Sequence, residues 1–83
     1  MDKYDINWIS DDNAMFGAAT SGSGEVLYRL IVEKLPKDKG WDWSVWRPGS
    51  TGTAIGHGPA LSSLTGFASA EMAARAWHTM YSS

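Results

Sequence analysis

Residues 25–47 constrain the fold more than any other part of the chain. Residues 25–35 are rich in side chains that favour extended backbone (Val26, Tyr28, Ile31, Val32) and are bounded by Gly24 and Pro36. The following Pro36-Lys37-Asp38-Lys39-Gly40 is turn chemistry, and residues 41–47 resume alternation with Trp41, Trp43 and Val45 on one face and Asp42, Ser44 and Trp46 on the other. This is a β-hairpin whose register the apolar pattern selects, because a one-residue slip would exchange the two faces of a strand. The match that separates apolar from charged sets Trp41, Trp43 and Val45 beside Val26, Tyr28, Leu30 and Val32. Arg29, Glu33, Asp42 and Ser44 then share the opposite face with Leu27, Ile31, Leu35 and Trp46.

Beyond Pro48-Gly49-Ser50-Thr51-Gly52, a second turn, residues 53–57 read as a short, Gly-rich edge strand. Residues 59–66 read as irregular. Ser69 then reads as a helix N-cap, with Glu71 in the first turn and a helix over residues 70–80. Ala73, Ala76, Trp77 and Met80 fall at i, i+3, i+4 and i+7 and make an apolar stripe, with Glu71 and Arg75 as an i, i+4 pair on another side. Ahead of the hairpin, residues 10–19 admit a short helix capped by Ser10, although Gly17 weakens it by about 1 kcal/mol. Thr20-Ser21-Gly22-Ser23-Gly24 reads as a flexible link. The expected architecture is α+β: a three-stranded antiparallel sheet with a C-terminal α-helix packed on one face. Residues 1–24 form an N-terminal segment and link, and residues 25–83 a single β-β-β-α domain.

Composition removes most chemistries. The 83 residues contain no Cys, so disulfides and thiolate metal sites are excluded. Seven basic residues are scattered along a chain of net charge −2, which is no footprint for nucleic acid or an anionic membrane. No apolar run approaches the ~18 residues of a membrane span. Residues 1–9 lack the apolar core of a secretory leader, and the expectation is a cytoplasmic protein.

The two histidines, His57 and His78, are too few and too distant for a zinc site, and His78 beside the apolar stripe is expected to be solvated. Ser62 or Ser63 with His57 lacks any motif that would set a base against a nucleophile. Glu33 and Asp42 are expected as neighbours in a solvated charge cluster beside Arg29. The glycine pairs 22/24, 49/52 and 56/58 lack the Lys-Ser or Lys-Thr and the helix start of a phosphate loop. No catalytic residue, metal or cofactor is expected.

A helix at residues 10–19 would give the order helix, three strands, helix, which resembles that of double-stranded-RNA-binding domains. Gly66-Phe67-Ala68-Ser69 leading into Ala73 and Ala76 is similar to the start of their second helix. Where that family has Lys-Lys-x-x-Lys to grip phosphate, this chain has Ala70-Glu71-Met72-Ala73, so the resemblance implies a shared order without the binding chemistry.

Five tryptophans are the compositional oddity. Trp41, Trp43 and Trp77 read as core, whereas Trp46 faces away from the helix. Leu27, Ile31 and Trp46 on that face, rimmed by charge, have the anatomy of an interface. Either a second chain covers them or the N-terminal segment does, through Trp8, Ile9, Met15 and Phe16. The reading is a small non-enzymatic interaction module, self-associating as a homodimer or binding another protein. The alternative is a domain that binds a carbohydrate or other small molecule on exposed tryptophan.

Overall fold

The computed structural model describes residues 4–48 and 54–81. Within them the chain runs through β1 (Tyr4–Ser10), β2 (Ala14–Ser21), β3 (Val26–Lys34), β4 (Trp41–Trp46), β5 (Gly56–Ala60) and α1 (Ser63–Tyr81), with a single 3-10 turn at Pro36–Asp38 between β3 and β4. The strands form one antiparallel sheet in chain order, β1-β2-β3-β4-β5. The fold is α+β with a C-terminal helix on an antiparallel sheet, as expected, but the sheet has five strands rather than three.

The central hairpin has the register that the apolar pattern selects. Leu30 pairs with Val45, Val32 with Trp43 and Lys34 with Trp41. Leu30, Val32 and Val45 are fully buried, so a one-residue slip would turn either Leu30 and Val32 of β3 or Val45 of β4 towards water. Lys37 (φ 60°) and Gly40 (φ 98°) turn the chain between the strands.

Residues 10–19 are not helical: most of them belong to β2, and the order shared with double-stranded-RNA-binding domains is lost with the helix. Asp11-Asp12-Asn13 is the β1–β2 turn. Asp11 N–H donates to Ala14 O (2.7 Å), and Asp12 N–H to Asp11 Oδ1 (2.6 Å). Pairing outweighs the helical preference of Ala and Met here. Met15 lies opposite Val32, Gly17 opposite Leu30 and Ala19 opposite Tyr28, so the odd positions of β2 extend the core. Gly17 is favoured by its other neighbour. Trp8 lies directly across in β1, and a Cβ at Gly17 would sit 3.0 Å from three atoms of its indole. The supposed link at 20–24 is likewise a tight turn, closed by Ser21 N–H to Glu25 O and Gly24 N–H to Ser21 O (both 2.9 Å), with Gly24 in the left-handed region at φ 88°. Residues 4–24 therefore supply two strands and two turns to the sheet.

The last strand is β5 at Gly56–Ala60, later than the expected 53–57. Thr53 and most of the preceding turn lie outside the described residues. The helix begins at Ser63, two turns before the expected start. Its cap is Ser62, whose Oγ accepts from Thr65 N–H (3.1 Å) and pairs with Thr65 Oγ1 (2.9 Å), while Gly66 N–H donates to the Ser62 carbonyl (3.0 Å). Ser69 lies inside the helix.

The buried stripe of α1 is rotated from the expected one. Gly66, Ala70 and Ala74 face the sheet at i, i+4 and i+8, with Ala73 and Trp77 packed beside them, whereas Met80 is 70% exposed. Small residues draw the helix down: a Cβ on Gly66 would lie 2.8 Å from Val32 Cγ1. The core is a thin layer of Ala19, Tyr28, Leu30, Val32, Val45, Ala60, Ala70 and Ala74. Trp8, Trp41, Trp43 and Trp77 pack around it. Trp43 lies over β5, where a Cβ on Gly58 would be 3.1 Å from its Nε1.

Polar contacts join the helix to the sheet. Trp8 Nε1–H donates to Glu71 Oε2 (2.9 Å), with the indole tilted against Phe67 at 4.7 Å between centroids. Tyr28 OH and His78 Nδ1 are 3.0 Å apart, their rings edge to face. His78 is thus part of the helix–sheet joint rather than solvated, and Glu71 anchors β1.

Candidate interaction surface

Alternation along the strands sends one set of side chains towards α1 and the other to the opposite face of the sheet. The pairings align that second set in rows across the sheet. One row runs Ile9, Phe16, Ile31, Ser44, His57 from β1 to β5. A neighbouring row runs Asn7, Ala18, Arg29, Trp46. On the other side lie Ala14, Glu33, Asp42 and Pro59. Among the described residues nothing packs over this face. Ile9 is 73% and Phe16 48% exposed, and the face carries an apolar row at its middle with charge on either side.

The three residues expected at an interface separate. Ile31 sits at the centre of the middle row. Trp46 stands in the next row, half-buried, its Nε1–H donating to Ser44 Oγ (2.8 Å). Leu27 differs: pairing passes from Ala19–Tyr28 to Thr20–Val26, so Leu27 is the extra residue of a β-bulge, and it packs against the buried cluster.

The N-terminal segment does not cover the face. Trp8 and Met15 point to the helix side, and Ile9 and Phe16 widen the open side. Sequence reading missed these last two because they depend on recognising β1 and β2. The signal was present in the alternation of Ile6 and Trp8 with Asp5, Asn7 and Ile9 ahead of the Asp-Asp-Asn turn.

The other candidates do not converge. His57 lies exposed on the open face of β5, and Ser62 Oγ is engaged in capping. Glu33 and Asp42 are direct cross-strand neighbours, both exposed. Among the described residues no three His, Asp or Glu side chains are grouped to hold a metal ion, and no helix is long and apolar enough to cross a membrane. A shallow hollow of about 480 Å³ lies where Lys39 and Gly40 meet Pro59, Ala60 and Leu61, with Lys39 its one charged group.

A second apolar set lies on the far side of α1. Leu64, Ala68, Met72, Ala76 and Met80 follow one another at i+4, with Leu64 76%, Met72 70% and Met80 70% exposed. Such rows are the ridges by which helices pack. No family model, no curated protein and no solved structure matches this chain.

Proposed function

We propose that this chain is a small non-enzymatic interaction module that self-associates through the open face of its sheet. The observation that carries the reading is the row Ile9–Phe16–Ile31, with Trp46 beside it, on a sheet face that no described residue covers. An antiparallel sheet tolerates a solvated face when that face is polar. Here it is apolar in the middle and charged at its ends, as a docking surface is. Two-fold dimers are the commonest oligomers of soluble proteins, and an isologous contact needs only one such surface. The alternative, a ligand stacked on exposed tryptophan, is left with Trp46, because Trp8, Trp41, Trp43 and Trp77 all pack against the core.

Sedimentation at several hundred micromolar is expected to show a dimer. Trp46→Glu is expected to keep the secondary structure seen by circular dichroism, since the side chain lies outside the core. It should raise the dimer dissociation constant by roughly 30-fold or more, the effect of losing one aromatic anchor. A wild-type chain that sediments as a monomer at that concentration overturns the reading. A monomer whose tryptophan emission shifts on titration with a simple sugar supports the alternative instead.

A further inference from the structure

Charge on the open face defines how two copies would meet, an inference that rests on the self-association reading above. Arg29, Ile31 and Glu33 are alternate residues of β3, the central strand, and share the open face. Arg29 and Glu33 therefore stand about 7 Å to either side of Ile31 along the strand. Asp42 lies directly across from Glu33 in β4, so two exposed carboxylates are cross-strand neighbours at one end of the face. Like charges so placed repel each other.

Two copies packed face to face can be related by a two-fold axis in the plane between them, aligned either with the strands or across them. An axis along β3 sets each residue of β3 over its own copy: Arg29 on Arg29, Glu33 on Glu33. An axis across the strands at Ile31 keeps the apolar row on itself and exchanges the two ends. Arg29 then meets the partner's Glu33, and each guanidinium lies against the acidic pair that lacks a countercharge on its own row. Aligned sheet packing, with strands crossing at about 30°, accommodates this arrangement.

We propose that the chain forms an antiparallel, face-to-face dimer about a two-fold axis across the strands at Ile31, in which Arg29 of each copy pairs with the partner's Glu33 and Asp42.

Charge reversal tests this directly. Arg29→Glu gives a chain acidic at both ends of β3, and Glu33→Arg one basic at both ends. Arg29→Glu, which makes both crossings wholly acidic, is expected to dissociate at least roughly 30-fold more readily than wild type, and Glu33→Arg, in which Asp42 still faces Arg29, should weaken the dimer by less. A one-to-one mixture of the two restores the opposite-charge contact between positions 29 and 33 at both crossings and leaves one of them as in wild type, so it should bind at least about threefold more tightly than either variant alone. Met72→Glu, on the far side of α1, should leave the dimer unchanged.

A wild-type monomer at several hundred micromolar removes the self-association reading and this geometry with it. A wild-type dimer that survives Arg29→Glu, or variants that fail to recombine, overturns the geometry and leaves self-association standing. Loss of the dimer in Met72→Glu places the contact on the helix ridge and overturns both. If circular dichroism shows a charge-reversed chain unfolded, Arg29→Gln and Glu33→Gln serve instead: each should weaken the dimer at low salt and flatten its salt dependence. Neutral variants as tight as wild type overturn the pairing.

Discussion

Glycine determines how closely the layers of this protein approach, and Gly66 shows it best. An alanine there gains about 1 kcal/mol in helix propensity. Its Cβ would lie 2.8 Å from Val32 Cγ1, and Val32 is fully buried and cannot swing away. Overpacking of this kind costs about 1–3 kcal/mol, so Gly66→Ala is expected to destabilise the fold on balance. Combining it with Val32→Ala removes the clash, and the double variant should be more stable in denaturant melts than the sum of the single effects, by at least ~0.5 kcal/mol. Additive costs would show that helix and sheet do not meet at this point. The same logic explains why sequence alone misplaces this residue. Gly66 falls in the stretch 59–66 that reads as irregular, and only the side chain beneath it shows that glycine serves proximity. Leu27 is a second case: strict alternation assigns it to the open face, but a bulge interrupts the count and cannot be read from one strand alone.

Elements differ in how much of their cause is local. The central hairpin is legible because its causes lie in adjacent residues: β-branched and aromatic alternation, a Pro-to-Gly turn, and a register that one apolar match selects. Ile31 and Trp46 on the open face follow from that alternation alone. β2 is illegible because Ala, Met and Gly carry little strand preference, and it is held by β3 on one side and by Trp8 over Gly17 on the other. Ile9 and Phe16 were hidden with it. The two candidate starts of α1 make opposite predictions. Ser62→Ala removes the hydroxyl that accepts from Thr65 N–H and should cost about 1 kcal/mol. Ser69→Ala, inside the helix, should be neutral or stabilise by a few tenths of a kcal/mol. Thermal melts of the two variants decide between them; a larger loss at Ser69 would return the helix start to that residue.

At the scale of the whole molecule, residues 4–21 are part of the fold rather than an appendage. Deleting residues 1–21 would leave β3 as an edge strand and strip Met15, Gly17 and Ala19 from beside Val32, Leu30 and Tyr28. The shortened chain is expected to show no cooperative unfolding transition, and a sharp melt would contradict that. The meander also bears on the order in which the molecule assembles. Every strand pairs with its neighbour in sequence, and α1 packs chiefly on β3, β4 and β5. Loops to be closed are therefore short, which favours rapid folding for a sheet protein. On the ribosome each hairpin can zip as it emerges, but the side of the sheet bearing Leu30, Val32 and Val45 stays bare until residues 63–81 have been made. The bond from Trp8 to Glu71, spanning 63 positions of sequence, is then a latch between the first strand of this sheet and the helix that closes over it.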